Sequence, residues 1–261
     1  MSGKILTAVE SSVATLVFHN PERHNSLSLQ MWQDAAAALD EFAAADEVRA
    51  IIVTGSGEKS FASGADISEF EKVRANAEGA ATYDIALERF WTALGDNPKP
   101  TIAKIRGFCL GGGLNIAACC DLRVCGESSR FGVPAAKLGL GYGVSTMRRL
   151  VAIAGPQFAL EMLLTARHFT SGEARDIGLV NHVVPDAEVE SYVRTMVEGI
   201  ARNAPLTIRA AKGVIHELLE DASKQDLAAA DTLVKDCFDS EDYREGRRAF
   251  LEKRKPEFKG R

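Results

Sequence analysis

Gly107-Phe-Cys-Leu-Gly-Gly-Gly113 and Phe61-Ala-Ser-Gly-Ala-Asp66 are the two stretches of this sequence that decide its fold. Each places small residues where a predicted strand gives way to a helix. Small residues let a ligand approach the main chain closely, and a helix N-terminus carries unpaired N–H groups and a partial positive charge. Two such loops facing one another would give two amide donors for one oxygen. Either loop alone is also consistent with a plain turn or an anion site.

Strands and helices alternate around these loops. Strands are predicted over 5–9, 13–19, 50–54, 101–105 and 121–125, and helices over about 29–42, 82–94, 111–120 and most of the chain beyond 186. The repeated strand–helix–strand order needs crossover connections, so it predicts an α/β protein with a mainly parallel sheet. Ser28 and Ser240 precede two of the predicted helices and are typical N-cap residues.

The domain organisation follows from a change of pattern near residue 195. Residues 1–195 are predicted to form a sheet-and-helix core, and residues 196–261 a helical appendage. A segment this short buries too little apolar surface to fold well alone. We therefore expect it to pack on a neighbouring subunit.

Composition and charge exclude several classes of protein. The chain has 261 residues, 46% of them hydrophobic, and a net charge of −5, which argues against a nucleic-acid partner because such a surface needs clustered Lys and Arg. The five cysteines are odd in number and lack C-x-x-C spacing, so we expect reduced thiols in a cytoplasmic protein. The sequence shows no signal-peptide pattern at its start, and no stretch approaches the ~20 apolar residues of a membrane span. No membrane partner is expected.

Several motifs in a fixed order carry a family resemblance. They are Phe61-Ala-Ser-Gly-Ala-Asp-Ile67, Gly107-Phe-Cys-Leu-Gly-Gly-Gly-Leu-Asn115, Cys120-Asp-Leu-Arg123 with Phe131-Gly-Val-Pro134, and the tail from Ser240 to Pro256. Together they resemble the crotonase (enoyl-CoA hydratase/isomerase) superfamily over essentially the whole chain. The resemblance implies a ββα spiral core, with a trimer or dimer of trimers built through the C-terminal helices.

The resemblance also implies a binding site for an acyl-CoA thioester. The backbone N–H groups of Ala65 and Gly112 would hold the thioester oxygen as it becomes an enolate, and Arg23 and His24 would lie near the CoA phosphates. One of three residues, Lys253, Phe258 or Lys259, could reach a neighbour's CoA. The adenine and pantetheine would lie along Ala62, Ser63, Gly64, Ala65, Asp66 and Ile67. The sequence holds no metal-ligand cluster and no dinucleotide fingerprint, so we expect no metal and no cofactor apart from the CoA of the substrate.

Two positions depart from the hydratase pattern. Hydratases of the family use two glutamates, and the matching positions here are Asn115 and Ala135. An amide does not titrate, and each general acid or base is worth roughly 10²–10⁴ in rate. Standard hydration is therefore not expected, whereas stabilisation of a thioester enolate remains expected.

Three functions stay open at this stage. The first is hydratase/isomerase-like chemistry with a nonstandard acid–base group, for which Asp66, Glu69 or Asp84 are candidates and Asn115 could bond a water. The second is decarboxylation of a methylmalonyl-type CoA, because loss of CO₂ gives an enolate without a base, and Tyr142 lies where decarboxylases of the family carry a tyrosine. The third is a non-catalytic acyl-CoA-binding subunit.

Overall fold

Two sheets organise the computed structural model, which describes residues 3–69 and 76–261. The larger sheet has the order β1-β2-β3-β5-β7-β10 and the smaller has the order β4-β6-β8-β9. The strands of the larger sheet are β1 Lys4–Glu10, β2 Val13–His19, β3 Ala50–Gly55, β5 Thr101–Ile105, β7 Leu122–Gly126 and β10 His182–Val184. Those of the smaller sheet are β4 Ser60–Ala62, β6 Phe108–Leu110, β8 Arg130–Gly132 and β9 Phe169–Thr170.

The predicted parallel sheet is confirmed from β2 onward. An antiparallel hairpin joins β1 and β2, whereas β2, β3, β5, β7 and β10 pair in parallel. Every residue of β5 is buried. Such continuous burial is typical of parallel strands that are covered on both faces.

Helices fill the connections, and the two predicted caps are present. The side-chain oxygen of Ser28 accepts a hydrogen bond from the Met31 amide (3.2 Å), and that of Ser240 accepts one from the Tyr243 amide (3.0 Å). The helices are α1 Leu29–Ala44, α2 Ala77–Gly95, α3 Gly112–Cys119, α4 Ala135–Leu138, α5 Val144–Thr165, α6 Ser171–Asp176, α7 Val189–Ala201, α8 Pro205–Leu219, α9 Leu227–Asp239 and α10 Glu241–Glu252. Helix α5 is broken at Gly155, which has φ 76° and precedes Pro156.

Three of the four strands of the smaller sheet come from repeated units. In each unit one strand enters the larger sheet, the next enters the smaller sheet, and a helix follows: β3-β4-α2, β5-β6-α3 and β7-β8-α4. This is the ββα spiral implied by the family resemblance. The second strand of each unit has only three residues, which is too short for a hydrophobic period, and the sequence prediction missed all of them.

The domain boundary predicted near residue 195 falls inside α7 and stays a prediction. Val189, Val193 and Val197 of this helix pack in one apolar cluster with residues of the larger sheet, including Ile52 and Ile102. Helix α7 therefore belongs to the core along its whole length, and the C-terminal helices begin after Ala201. Within the described ranges, no helix combines the length and the apolar composition needed to cross a membrane.

A largely buried ion pair ties the C-terminal helices to the core. The Lys212 ammonium on α8 lies 2.8 Å from the Asp121 carboxylate and donates to the Lys99 carbonyl at 3.1 Å. The same carboxylate oxygen accepts from both the amide and the hydroxyl of Thr101. Since a buried charge that loses its partner is destabilising, this cluster fixes α8 against the ends of β5 and β7.

Replacing Lys212 with Met tests the role of this ion pair in stability. We expect Lys212→Met to lower the free energy of unfolding by about 1–3 kcal/mol, because Asp121 loses a charged hydrogen-bond partner. Lys235→Met is the matched control, since Lys235 is an exposed lysine on α9. Urea titrations of both variants measure the effect. Equal midpoints would show that the ion pair contributes nothing to stability.

Candidate functional site

The two glycine-containing turns touch each other through their main chains. A Cβ atom added to Gly64 would lie 2.6 Å from the Gly112 nitrogen, and one added to Gly112 would lie 3.0 Å from the Gly64 Cα. Gly64 also has a φ of 92°, which disfavours any side chain. Only glycine at both positions permits this approach.

The amides of Ala65 and Gly112 are the donors that this contact brings together. Leu27 bridges to the neighbours of Ala65, since its amide donates to the Gly64 carbonyl (2.8 Å) and its carbonyl accepts from the Asp66 amide (2.9 Å). The Ala65 N–H therefore faces away from Leu27. Across the described ranges, neither the Ala65 nor the Gly112 amide donates to a protein acceptor. Two free donors that lie side by side fit a single oxygen atom.

A pocket of about 280 Å³ opens over these amides. It is lined by Trp32, Ser63, Ala65, Ile67, Tyr83, Leu87, Trp91, Gly111, Gly112, Asn115, Pro134, Ala135, Leu138, Leu140, Gly141, Tyr142, Gly143 and Thr146. Among the described residues of the lining there is no carboxylate, imidazole, ammonium or guanidinium group. This described part of the lining therefore offers hydrogen bonds and apolar contact and holds no ordinary general base.

Asn115 and Ala135 line the same pocket, and each is 5% exposed. The Asn115 Oδ1 atom is buried and has no hydrogen-bond partner, and within residues 3–69 and 76–261 the Ser129 hydroxyl is the other buried side-chain polar atom in that state. An unpaired buried acceptor costs stability. Such costs are typical of groups that a protein keeps for a ligand.

The Tyr142 hydroxyl lies beside the same turn. A Cβ atom added to Gly111 would be 3.5 Å from the Tyr142 oxygen. Burial of this half-buried side chain raises the pKa of Tyr142 above its ordinary value. The hydroxyl therefore stays protonated at neutral pH and can donate a hydrogen bond into the pocket.

Asp66 lies outside the pocket lining, although it follows Ala65 directly. Its carboxylate accepts from Arg23 (2.8 Å) and from the Ser68 hydroxyl (2.7 Å). Burial alone would raise the pKa of Asp66, but the hydrogen bonds from Ser68 and Arg23 outweigh it and lower that pKa below its ordinary value. The lowered pKa and the hydrogen bonds favour a role for Asp66 in anchoring the loop. They argue against a role as a base.

The other two candidate bases also lie away from the lining. Glu69 accepts from the Leu29 amide at the start of α1 (3.2 Å), and Asp84 is exposed on α2. The family resemblance also implies that residues 70–95 help to shape the acyl pocket, and of these, residues 70–75 lie outside the described residues.

The predicted CoA-contacting residues near the loop are of two kinds, some exposed and some buried. Arg23 lies against the loop, because its carbonyl accepts from the Ser63 hydroxyl (3.4 Å), and the exposed His24 ring packs edge-on against Phe108 at 5.9 Å. Ile67 is 50% exposed, whereas Ala62 is completely buried. Ala62 therefore supports the loop from beneath and offers no surface to a ligand.

Lys253 and Phe258 lie in the C-terminal region. Lys253 is exposed at the end of α10, and Phe258 packs beside Gly246. Phe258 also lines an apolar cleft between α8, α9 and α10. Contact of either residue with a neighbour's CoA stays a prediction.

Sequence reasoning missed the aromatic residues of the pocket. Trp32 on α1 and Tyr83 and Trp91 on α2 all line it. A signal was present, because Tyr83, Leu87 and Trp91 are spaced four residues apart and so share one face of a helix. The signal did not reveal that this face borders a cavity.

A ββα spiral that brings two free amides to one pocket defines a protein of crotonase fold. The sequence profile of the enoyl-CoA hydratase/isomerase family matches residues 8–261, and the chain belongs to this family.

Individual relatives cover nearly the whole chain. A short-chain-enoyl-CoA hydratase of Clostridium acetobutylicum is 34% identical over 258 residues, which is 98% of each chain. A 2,3-dehydroadipyl-CoA hydratase of Escherichia coli is 32% identical, with 99% of each chain covered. The crystal structure of an enoyl-CoA hydratase/carnithine racemase from Magnetospirillum magneticum has a TM-score of 0.92 and 37% identity, covering 100% of this chain and 97% of that one.

Replacing Asn115 with Leu tests whether its unpaired oxygen costs stability. We expect Asn115→Leu to raise the free energy of unfolding by about 1 kcal/mol, because an apolar side chain of similar volume leaves no unsatisfied acceptor. Asn97→Leu is the matched control: Asn97 is also buried, but its amide makes hydrogen bonds to Leu39, Ala93 and Lys99. The melting temperature should rise for Asn115→Leu and fall for Asn97→Leu. A lower melting temperature for Asn115→Leu would contradict the expectation.

Proposed function

We propose that this protein is an acyl-CoA enzyme that stabilises a thioester enolate between the amides of Ala65 and Gly112. The observation that carries the proposal is the pair of unbonded N–H groups at the contact of two turns, inside a largely apolar pocket. Donors fixed in advance toward a developing negative charge are worth roughly 10²–10³ in rate each. Relatives named as enoyl-CoA hydratases support the class of substrate.

In the proposed mechanism, the thioester carbonyl accepts from both amides. As the α-carbon gains an electron pair, negative charge collects on this oxygen, and the two hydrogen bonds strengthen. The CoA part would extend along the loop from Ser63 to Ile67, with Arg23 and His24 near its phosphates. The loop is fixed beforehand by the Leu27 bridge and by the Arg23–Asp66 ion pair.

The chemistry at the α-carbon differs from standard hydration in this proposal. Asn115 and Ala135 occupy the two positions at which the family resemblance implies glutamates, and neither titrates. We therefore propose a hydratase- or isomerase-like reaction with a nonstandard acid–base group, in which Asn115 hydrogen-bonds water or substrate.

Decarboxylation is a second candidate, favoured by Tyr142. When a 2-carboxyacyl-CoA loses CO₂, the bond between the α-carbon and the carboxyl carbon breaks and its electron pair becomes the enolate, so no base is needed. A protonated tyrosine beside Gly111 suits a carboxylate in a pocket whose described lining carries no like charge. Acyl-CoA binding without turnover is the remaining alternative.

We also propose assembly into a cytoplasmic homotrimer or dimer of trimers. The support is an apolar cleft between α8, α9 and α10 together with neighbouring side chains that are mainly exposed, such as Phe238 (60%), Phe250 (83%) and Leu251 (79%). Apolar patches of this kind mark protein–protein contacts more often than free surface.

Replacing Gly64 with Ala tests the amide pair. The added Cβ would meet the Gly112 nitrogen, so we expect turnover of the accepted acyl-CoA to fall by roughly 10²-fold, the loss of one donor. Gly57→Ala is the matched control, because Gly57 also has a positive φ (73°) but open space around its Cβ position. Steady-state kinetics on both variants, with circular dichroism to check folding, measure the effect. Unchanged kcat in Gly64→Ala would contradict the proposal.

Product masses separate the candidate reactions. Purified protein is incubated with crotonyl-CoA, a 3-enoyl-CoA and methylmalonyl-CoA. Gain of one water indicates hydration, loss of CO₂ indicates decarboxylation, and unchanged mass with altered ultraviolet absorbance indicates isomerisation. If the reaction is decarboxylation, we expect Tyr142→Phe to slow it by roughly 10²-fold, while Tyr192→Phe, at a half-buried tyrosine on α7, leaves it unchanged. An unaffected rate in Tyr142→Phe would remove this residue from the mechanism.

A further inference from the structure

One side of the pocket is built from aromatic rings. Trp32, Tyr83 and Trp91, which we call the aromatic wall, all line it. Tyr83, Leu87 and Trp91 lie on one face of α2 because they are four residues apart. Trp32 and Tyr83 are 1% and 2% exposed, so they form the inner part of the wall, whereas Trp91 is half-buried and borders the open part.

The aromatic wall is held rigidly. The Trp32 indole N–H donates to the Tyr83 hydroxyl at 3.1 Å. The Trp32 ring lies 5.7 Å from the Trp91 ring, and Phe90 packs behind both, at 4.9 Å from Trp32 and 5.2 Å from Trp91. Each ring would have to displace a packed neighbour to move, and protein interiors resist such displacement. The space beside the wall therefore has a fixed shape.

The remaining boundary of this space is largely apolar and carries a few uncharged polar groups, and the space is small. Leu87, Leu138 and Leu140 contribute to it, and no charged side chain does among the described lining residues. The volume of about 280 Å³ is near the lower end of the range for ligand pockets. At roughly 30 Å³ for a group the size of a water molecule, it takes about nine non-hydrogen atoms.

We propose that this pocket selects an acyl group carrying a compact apolar ring, and that Trp91 is the residue that sets this preference. The inference rests on the proposed function, because it concerns the acyl part of a thioester held at Ala65 and Gly112. A ring meets the faces and edges of the aromatic wall in favourable geometry. A ring-bearing acyl group also has fewer rotatable bonds to immobilise on binding than a straight chain with the same number of carbons.

Two thioesters of equal carbon count test the preference. Phenylacetyl-CoA and octanoyl-CoA differ in that one carries a ring and the other a straight chain. We expect isothermal titration calorimetry to give the wild-type protein a Kd for phenylacetyl-CoA at least about tenfold below that for octanoyl-CoA.

Two variants at Trp91 connect the preference to the wall. Trp91→Leu should reduce the ratio of the two Kd values to about threefold or less, and Trp91→Phe, which keeps a ring, should retain most of it. Circular dichroism checks that both variants fold. Equal affinities in the wild type, or a ratio unchanged by Trp91→Leu, would overturn the ring preference and leave the proposed function standing. Failure of the wild type to bind either thioester would overturn both.

Discussion

The contact between Gly64 and Gly112 is the constraint on which the rest of the site depends. Two turns from separate ββα units meet with no side chain between them, and a single methyl group on Gly64 would reach the Gly112 nitrogen. Distances of this kind are set by main chains, which shift far less easily than side chains. The spiral therefore fixes the separation of the two amides before any ligand arrives. Preorganisation of this type is what makes backbone donors effective.

The described pocket lining beside those amides carries no charged group, and this limits the chemistry that the described residues can support. Enolate formation from an ordinary thioester needs a base for the α-proton, and the described lining offers Asn115 and protonated Tyr142 in place of a carboxylate. Asp66, the carboxylate next in sequence to the amide pair, is held by Arg23 and has a lowered pKa. Under the proposed function, Asn115 hydrogen-bonds a water or the substrate, or the substrate forms its enolate without a base.

Local signals in the sequence predicted much of the fold, and long-range contacts account for what they missed. The caps at Ser28 and Ser240 and the buried strand β5 depend on neighbouring residues, and each was predicted. The three-residue strands β4, β6 and β8 are defined only by pairing with one another, so no periodicity could reveal them. The domain boundary near residue 195 stays a prediction, and the packing of Val197 against the larger sheet is a contact that no local signal could show. The aromatic wall depends on a hydrogen bond between residues 32 and 83, which come from different helices.

Helix α3 connects the site to the buried core of the protein. Its first residue, Gly112, supplies one of the two proposed donors, and the helix is buried from Gly113 to Cys119. Its far end is held by Arg123, whose guanidinium donates to the Cys120 carbonyl at 2.6 Å and to the Leu179 carbonyl at 2.8 Å. A cation at a helix C-terminus stabilises the helix dipole, and the same dipole places positive potential at Gly112. The Arg123 guanidinium and the free Gly112 amide therefore lie at opposite ends of the same helix dipole.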